Sequence, residues 1–101
     1  MTKGLSVQKK HNLLESNFED CSMLYDLESG GYYVLNNVGT IIWGMLDEQI
    51  GIDVEQIIVK IKCLYPTIDT IEYDVMKFLR YAQDKGIVLL GMVNKESIAQ
   101  K

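Results

Sequence analysis

At Asn36-Asn37 the spacing of apolar residues changes from two to three or four, and a chain that makes this switch once must join a block of strands to a block of helices. Before the switch, from about Lys10 to Leu35, the signals are strand-like: HNLLES, a polar turn NFED, CSMLYDL, a turn ESGG, then YYVL. In the middle segment Cys21, Met23, Tyr25 and Leu27 alternate with Ser22, Leu24 and Asp26, an amphipathic pattern in which only Leu24 is out of place. An antiparallel meander is expected.

After the switch, Asn36 or Asn37 can cap a helix whose Val38, Ile41, Ile42, Met45 and Leu46 fall at helical spacing, with Trp43 beside the stripe. Asp53 and Gln56 form a capping-box-like pair ahead of Val54, Ile57, Ile58, Ile61 and Leu64. Asp69 and Glu72 repeat the device before Ile71, Val75, Phe78, Leu79 and Ala82. Gly86 supplies a left-handed stop, and IVLL at 87–90 reads as a short strand. Three strands followed by three helices is an α+β arrangement, and the four-residue YPTI between the second and third helices suits a helix-turn-helix corner. The expected plan is winged helix-turn-helix-like: residues 1–9 a flexible terminus, 10–90 one domain, 91–101 a polar tail.

With 101 residues, 48% hydrophobic and 24% charged, the composition is that of one soluble globular domain rather than a disordered or membrane chain. No apolar run approaches the roughly 20 residues that span a bilayer, and MTKGLSVQKKHN lacks the apolar centre of a secretory signal, so a cytoplasmic protein is expected. A formal net charge of −4 argues against nucleic acid, whose phosphates call for Lys and Arg. Lys3, Lys9, Lys10 and His11 form the single basic cluster and read as a solvated terminus. Cys21 and Cys63 sit in no CxxC and read as reduced, core-facing thiols; with one histidine, no metal site and no cofactor are expected.

No nucleophile and base pair, phosphate loop or paired catalytic carboxylates emerge, so no enzyme is expected. Glu19 and Asp20 are adjacent but belong to a turn. The segment YYVL differs, because Tyr32 with Val34 and Tyr33 with Leu35 make both of its faces apolar. The rings either roof a small core or border a partner site in which an open strand edge accepts a peptide. The third helix can supply the opposite wall, with Asp74, Lys77 and Tyr81 on one flank and Met76 and Arg80 nearer its exposed side.

LYDLESGGYYVLNNVGTIIWGML, DVEQIIVKIKCLYP and EYDVMKFLRYAQDKGIVLL together resemble the PqqD-like proteins, or RiPP recognition elements, over roughly residues 20 to 90. The YYVLNNVGTIIW stretch is similar to stand-alone members from lasso-peptide pathways, which work with a cysteine protease and a cyclase. The resemblance implies a small domain that binds the leader of a ribosomally made precursor peptide. That leader would add as a strand along Tyr32, Tyr33, Val34 and Leu35 and lie against Asp74, Lys77, Phe78 and Tyr81. It further implies delivery of the precursor to a separate maturation enzyme, a leader peptidase or a radical SAM protein. Two other readings stay open: a DNA-binding winged-helix regulator, disfavoured because Lys77 and Arg80 are outnumbered by Glu72, Asp74 and Asp84, and a homodimer that pairs its open strand edges.

Overall fold

A computed structural model describes residues 4–92. The meander forms as expected: β2 (Leu13–Asn17), β3 (Ser22–Asp26) and β4 (Tyr32–Leu35) make an antiparallel sheet in the order β2-β3-β4. It is preceded by β1 (Leu5–Lys9) and followed by α1 (Asn37–Met45), β5 (Ile52–Asp53), α2 (Val54–Leu64), α3 (Ile71–Asp84) and β6 (Val88–Met92). The three helices and the three-stranded meander are the α+β plan read from the sequence.

The amino-terminal segment departs from expectation. Leu5 to Lys9 is not a flexible arm but the central strand of a second antiparallel sheet, ordered β5-β1-β6. Val7 is fully buried there, opposite Ile52 on one side and Leu90 on the other. The alternation that reveals β1 is short, only Leu5-Ser6-Val7-Gln8, and its pairing partners lie some 45 and 85 positions downstream. Gly91 and Met92, expected in the tail, belong to β6, and the remainder of that tail lies outside the described residues.

Two members of the basic cluster, Lys9 and Lys10, are partly buried and engaged, whereas His11 is exposed and Lys3 lies outside the described residues. Lys10 Nζ donates to both carboxylate oxygens of Asp26, at 3.0 and 2.9 Å, and lies 2.9 Å from Glu28 Oε1. Lys9 places its ammonium 5.3 Å from the centroid of the Trp43 ring. These contacts fasten β1 and the turn after it to the meander and to α1.

The helices bury Gly39, Ile42 and Trp43 from α1; Val54, Ile57, Ile58 and Ile61 from α2; and Ile71, Val75, Leu79 and Ala82 from α3. Asn36 Oδ1 accepts from the Gly39 N–H at 2.8 Å and Asp53 Oδ1 from the Glu55 N–H at 2.9 Å, the two caps anticipated. The third differs: Thr70 is the cap residue without a side-chain capping bond, and its hydroxyl donates instead to Asp74. Gly86 adopts φ +78°, as a helix stop requires.

In β3 the amphipathic reading is inverted. Ser22, Leu24 and Asp26 are buried, while Met23 and Tyr25 are exposed. The buried polar groups at the strand ends are satisfied, Ser22 by donating to Asn17 Oδ1 at 2.7 Å and Asp26 by Lys10 and the Glu28 and Ser29 N–H groups. Leu24 is therefore the residue in place, and its neighbours in sequence are the ones turned outward. The cysteines are free, but Cys21 is half-buried and Cys63 exposed, so neither is a core thiol.

Candidate functional site

The hydrogen-bond phase of the meander decides which groups of β4 are available. Asp26 donates its N–H to the Gly31 carbonyl, and Leu24 faces Tyr33 while Ser22 faces Leu35 in the same register. Because bonded and non-bonded pairs alternate along an antiparallel ladder, Tyr33 and Leu35 turn their N–H and C=O toward β3. Tyr32 and Val34 turn theirs to the open side. Two N–H and two C=O groups thus lie along an edge to which no described strand pairs.

Side chains alternate in the same phase. Leu35 is buried and Tyr33 packs against the core, whereas Tyr32 and Val34 are exposed. The expectation that both faces of this strand are apolar is met, with one face built into the core and the other presented to solvent.

Alongside the open edge runs a groove of about 430 Å³ between β4, the first turn of α1 and one face of α3. Val34, Leu35, Asp74, Lys77, Phe78 and Tyr81 line it, so six of the eight residues singled out from the sequence are brought to one place. Tyr32 and Tyr33 do not line it, being respectively beyond its end on the outer face and turned into the core. Sequence reasoning missed Asn36, Val38 and Gly39, which close the groove at the α1 end. Val38 falls in the helical stripe read from the sequence, and the readable signal is Asn36, whose capping role places the first helical turn beside the end of β4.

The floor is apolar, with Phe78 half-buried against the core and Leu35 and Val38 flanking it. Gly39 permits this closeness, because a Cβ there would meet Phe78 Cε1 at 3.0 Å. The rim is charged. Asp74 accepts from the Thr70 hydroxyl at 3.0 Å, and Lys77 sits one turn along with its ammonium 6.0 Å from the Tyr73 ring centroid. Such a site can hold an extended chain by its backbone on one side and by apolar and charged side chains on the other. Among the described residues no group of three or more His, Cys, Asp or Glu side chains is placed to hold a metal, and no helix is long and apolar enough to cross a membrane.

Comparison with known proteins bears on this arrangement. The structure is similar to that solved for TbiB1 in complex with the TbiA(beta) leader peptide, with a TM-score of 0.68 and 29% sequence identity over 80% of this chain and 93% of that one. No curated protein sequence matches the chain. The family model for coenzyme PQQ synthesis protein D matches residues 21–88, a span that begins just before β3 and takes in β4 and all three helices. The chain therefore belongs to the PqqD family.

Proposed function

We propose that this protein is a non-catalytic recognition element that captures the leader segment of a ribosomally made precursor peptide by strand addition to β4 and presents it to a separate maturation enzyme. The observation that carries the reading is the coincidence of the open β4 edge with a groove whose far wall is α3. The likeness to TbiB1, solved with a leader peptide, supports it.

Energetics assign different work to the two halves of the site. Four main-chain groups contribute up to four hydrogen bonds at roughly 1 kcal/mol net each, an amount comparable with the cost of ordering a short disordered segment. Net affinity must then come from side chains. An apolar residue of the leader set over Leu35, Val38 and Phe78 supplies it, while Asp74, Lys77 and Tyr81 discriminate among charged neighbours. Tyr32 contributes through its backbone, and Tyr33 holds β4 in place from the core side.

Val34→Pro removes an outward N–H without removing a ladder bond to β3. It is expected to lower, at least tenfold, the affinity for a fluorescently labelled precursor leader that wild type binds, read by fluorescence anisotropy, with helix content unchanged by circular dichroism. Tyr33→Pro, by contrast, breaks a ladder bond and lowers stability. A folded Val34→Pro variant that binds as tightly as wild type would sink strand addition, and tight binding of random duplex DNA with a steep salt dependence would move the function to a nucleic-acid class.

A further inference from the structure

We infer, resting on the leader-binding reading above, that the groove selects its leader by an acidic side chain held beside Tyr81, where the ammonium groups of Lys77 and Lys85 face it from either side.

Two tie points fix how α3 runs past β4. Before α3 begins, Asn37, two residues beyond β4, donates from Nδ2 to the hydroxyl of Tyr65 at the α2 C-cap, at 3.3 Å. After α3 ends, the Ile87 carbonyl accepts from the Lys10 N–H at 2.9 Å, and the ammonium of Lys10 holds Asp26 and Glu28 where the chain turns into β4. Helix and strand therefore run in opposite directions across the groove, with Asp74 at the Leu35 end and Tyr81 at the end nearer Tyr33.

Strand addition then sets which leader side chains enter. Residues opposite Leu35 and Tyr33 point inward as those two do, and the residue between them points away. The side chain opposite Leu35 meets the apolar floor of Leu35, Val38 and Phe78. The one two positions along, toward the start of β4, meets Tyr81.

Chemistry at that second position is cationic. Tyr73, Lys77, Tyr81 and Lys85 recur every fourth residue and form one ridge of α3. Lys77 Nζ lies 6.0 Å from the Tyr73 ring centroid and Lys85 Nζ 5.7 Å from that of Tyr81, so each lysine is laid along the ridge by a ring. Among the described residues the ion pairs engage Lys9, Lys10 and His11, and no carboxylate is in ion-pair range of Lys77 or Lys85. Asp74, the acid that lines the groove, stands at the other end, accepts from the Thr70 hydroxyl, and lies in the first turn of α3, where the helix dipole favours its charge. A carboxylate beside Tyr81 thus finds two unpaired ammonium groups and a phenol hydroxyl able to donate. A formal net charge of −4 makes the domain as a whole repel an acidic chain, so the preference is confined to this position.

Fluorescence anisotropy tests it with a fluorescein-labelled precursor leader that wild type binds, and with versions in which each Asp is changed to Asn and each Glu to Gln, one at a time. One replacement is expected to weaken binding to wild type at least fivefold, and to weaken binding to the Lys77→Gln, Lys85→Gln double variant, checked for native circular dichroism, less than twofold. Arg80→Gln removes the same charge from a part of α3 that does not line the groove and should change affinity less than twofold. A tightly bound leader without Asp or Glu overturns the inference, as does one whose affinity survives every replacement; in both cases leader binding itself stands. Equal loss in wild type and the double variant also overturns it, and so does an Arg80→Gln effect as large as that of the double variant, which would mean long-range charge instead of a seat. If wild type binds no precursor leader, the binding role fails and this selectivity with it.

Discussion

A Cβ on Gly39 would stand 3.0 Å from Phe78 Cε1, 3.3 Å from Cδ1 and 3.2 Å from the capping oxygen of Asn36. Replacing Gly by Ala inside a helix ordinarily gains up to about 1 kcal/mol of helix propensity, and here the gain is offset by crowding of a ring that cannot move inward. Gly39→Ala should therefore leave stability within about 1 kcal/mol of wild type in a denaturant melt. Leader affinity should fall severalfold, because the displaced Phe78 ring occupies the groove. Asp26 is a second residue whose effect is local in cause and wide in reach. Its nearly buried carboxylate is held at a pKa of about 2, chiefly by the hydrogen bond from Lys10 and against desolvation, with help from the Glu28 and Ser29 N–H groups. A carboxylate whose pKa is lower folded than unfolded stabilises the fold above its ordinary pKa and loses that contribution as pH falls. Acid denaturation should thus develop between about pH 4 and pH 2. In Asp26→Asn the portion of that pH dependence due to this group should vanish in melts followed across the range, and an unchanged profile would show that other carboxylates govern it.

Among the elements, β1 tests how the amino-terminal segment contributes. It is the middle strand of its sheet, and its Val7 contacts both edges of that sheet from a fully buried position. Val7→Ala leaves a small cavity there and should cost about 2 kcal/mol in chemical denaturation. A cost below about 0.5 kcal/mol would mean that β1 is dispensable to the domain. The strand was hidden from sequence reading because its alternation covers only four residues, Leu5 to Gln8, and its partners β5 and β6 are remote in the chain. The helices were legible for the converse reason: each supplies its own hydrogen bonds, and the stripe of Val54, Ile57, Ile58 and Ile61 needs nothing beyond its spacing to be recognised. Strand β3 was legible as a strand but not as to which side faces inward. Its Cys21, Met23, Tyr25, Leu27 set is the more apolar, yet the core claims Leu24 and tolerates Ser22 and Asp26 because both polar groups find partners.

For the whole molecule, residue order by itself determined that the meander precedes the helices, the caps of the first two helices and the glycine stop of the third, and which segment combines a double tyrosine with a Gly-Gly turn. These are local matters, settled by propensity, capping and period within a dozen residues. It also brought six groove residues into view, since β4 and α3 are each recognisable alone. Tertiary structure alone decided the rest: that β1 completes a second sheet, that Lys10 reaches Asp26 and Glu28, that Gly39 and Val38 close the groove, and that the apolar side of the meander faces out. Each depends on contacts between segments far apart in the chain, and a strand's inward face is chosen by what packs on it and by which buried polar groups can be paired, neither of which is encoded in the strand itself.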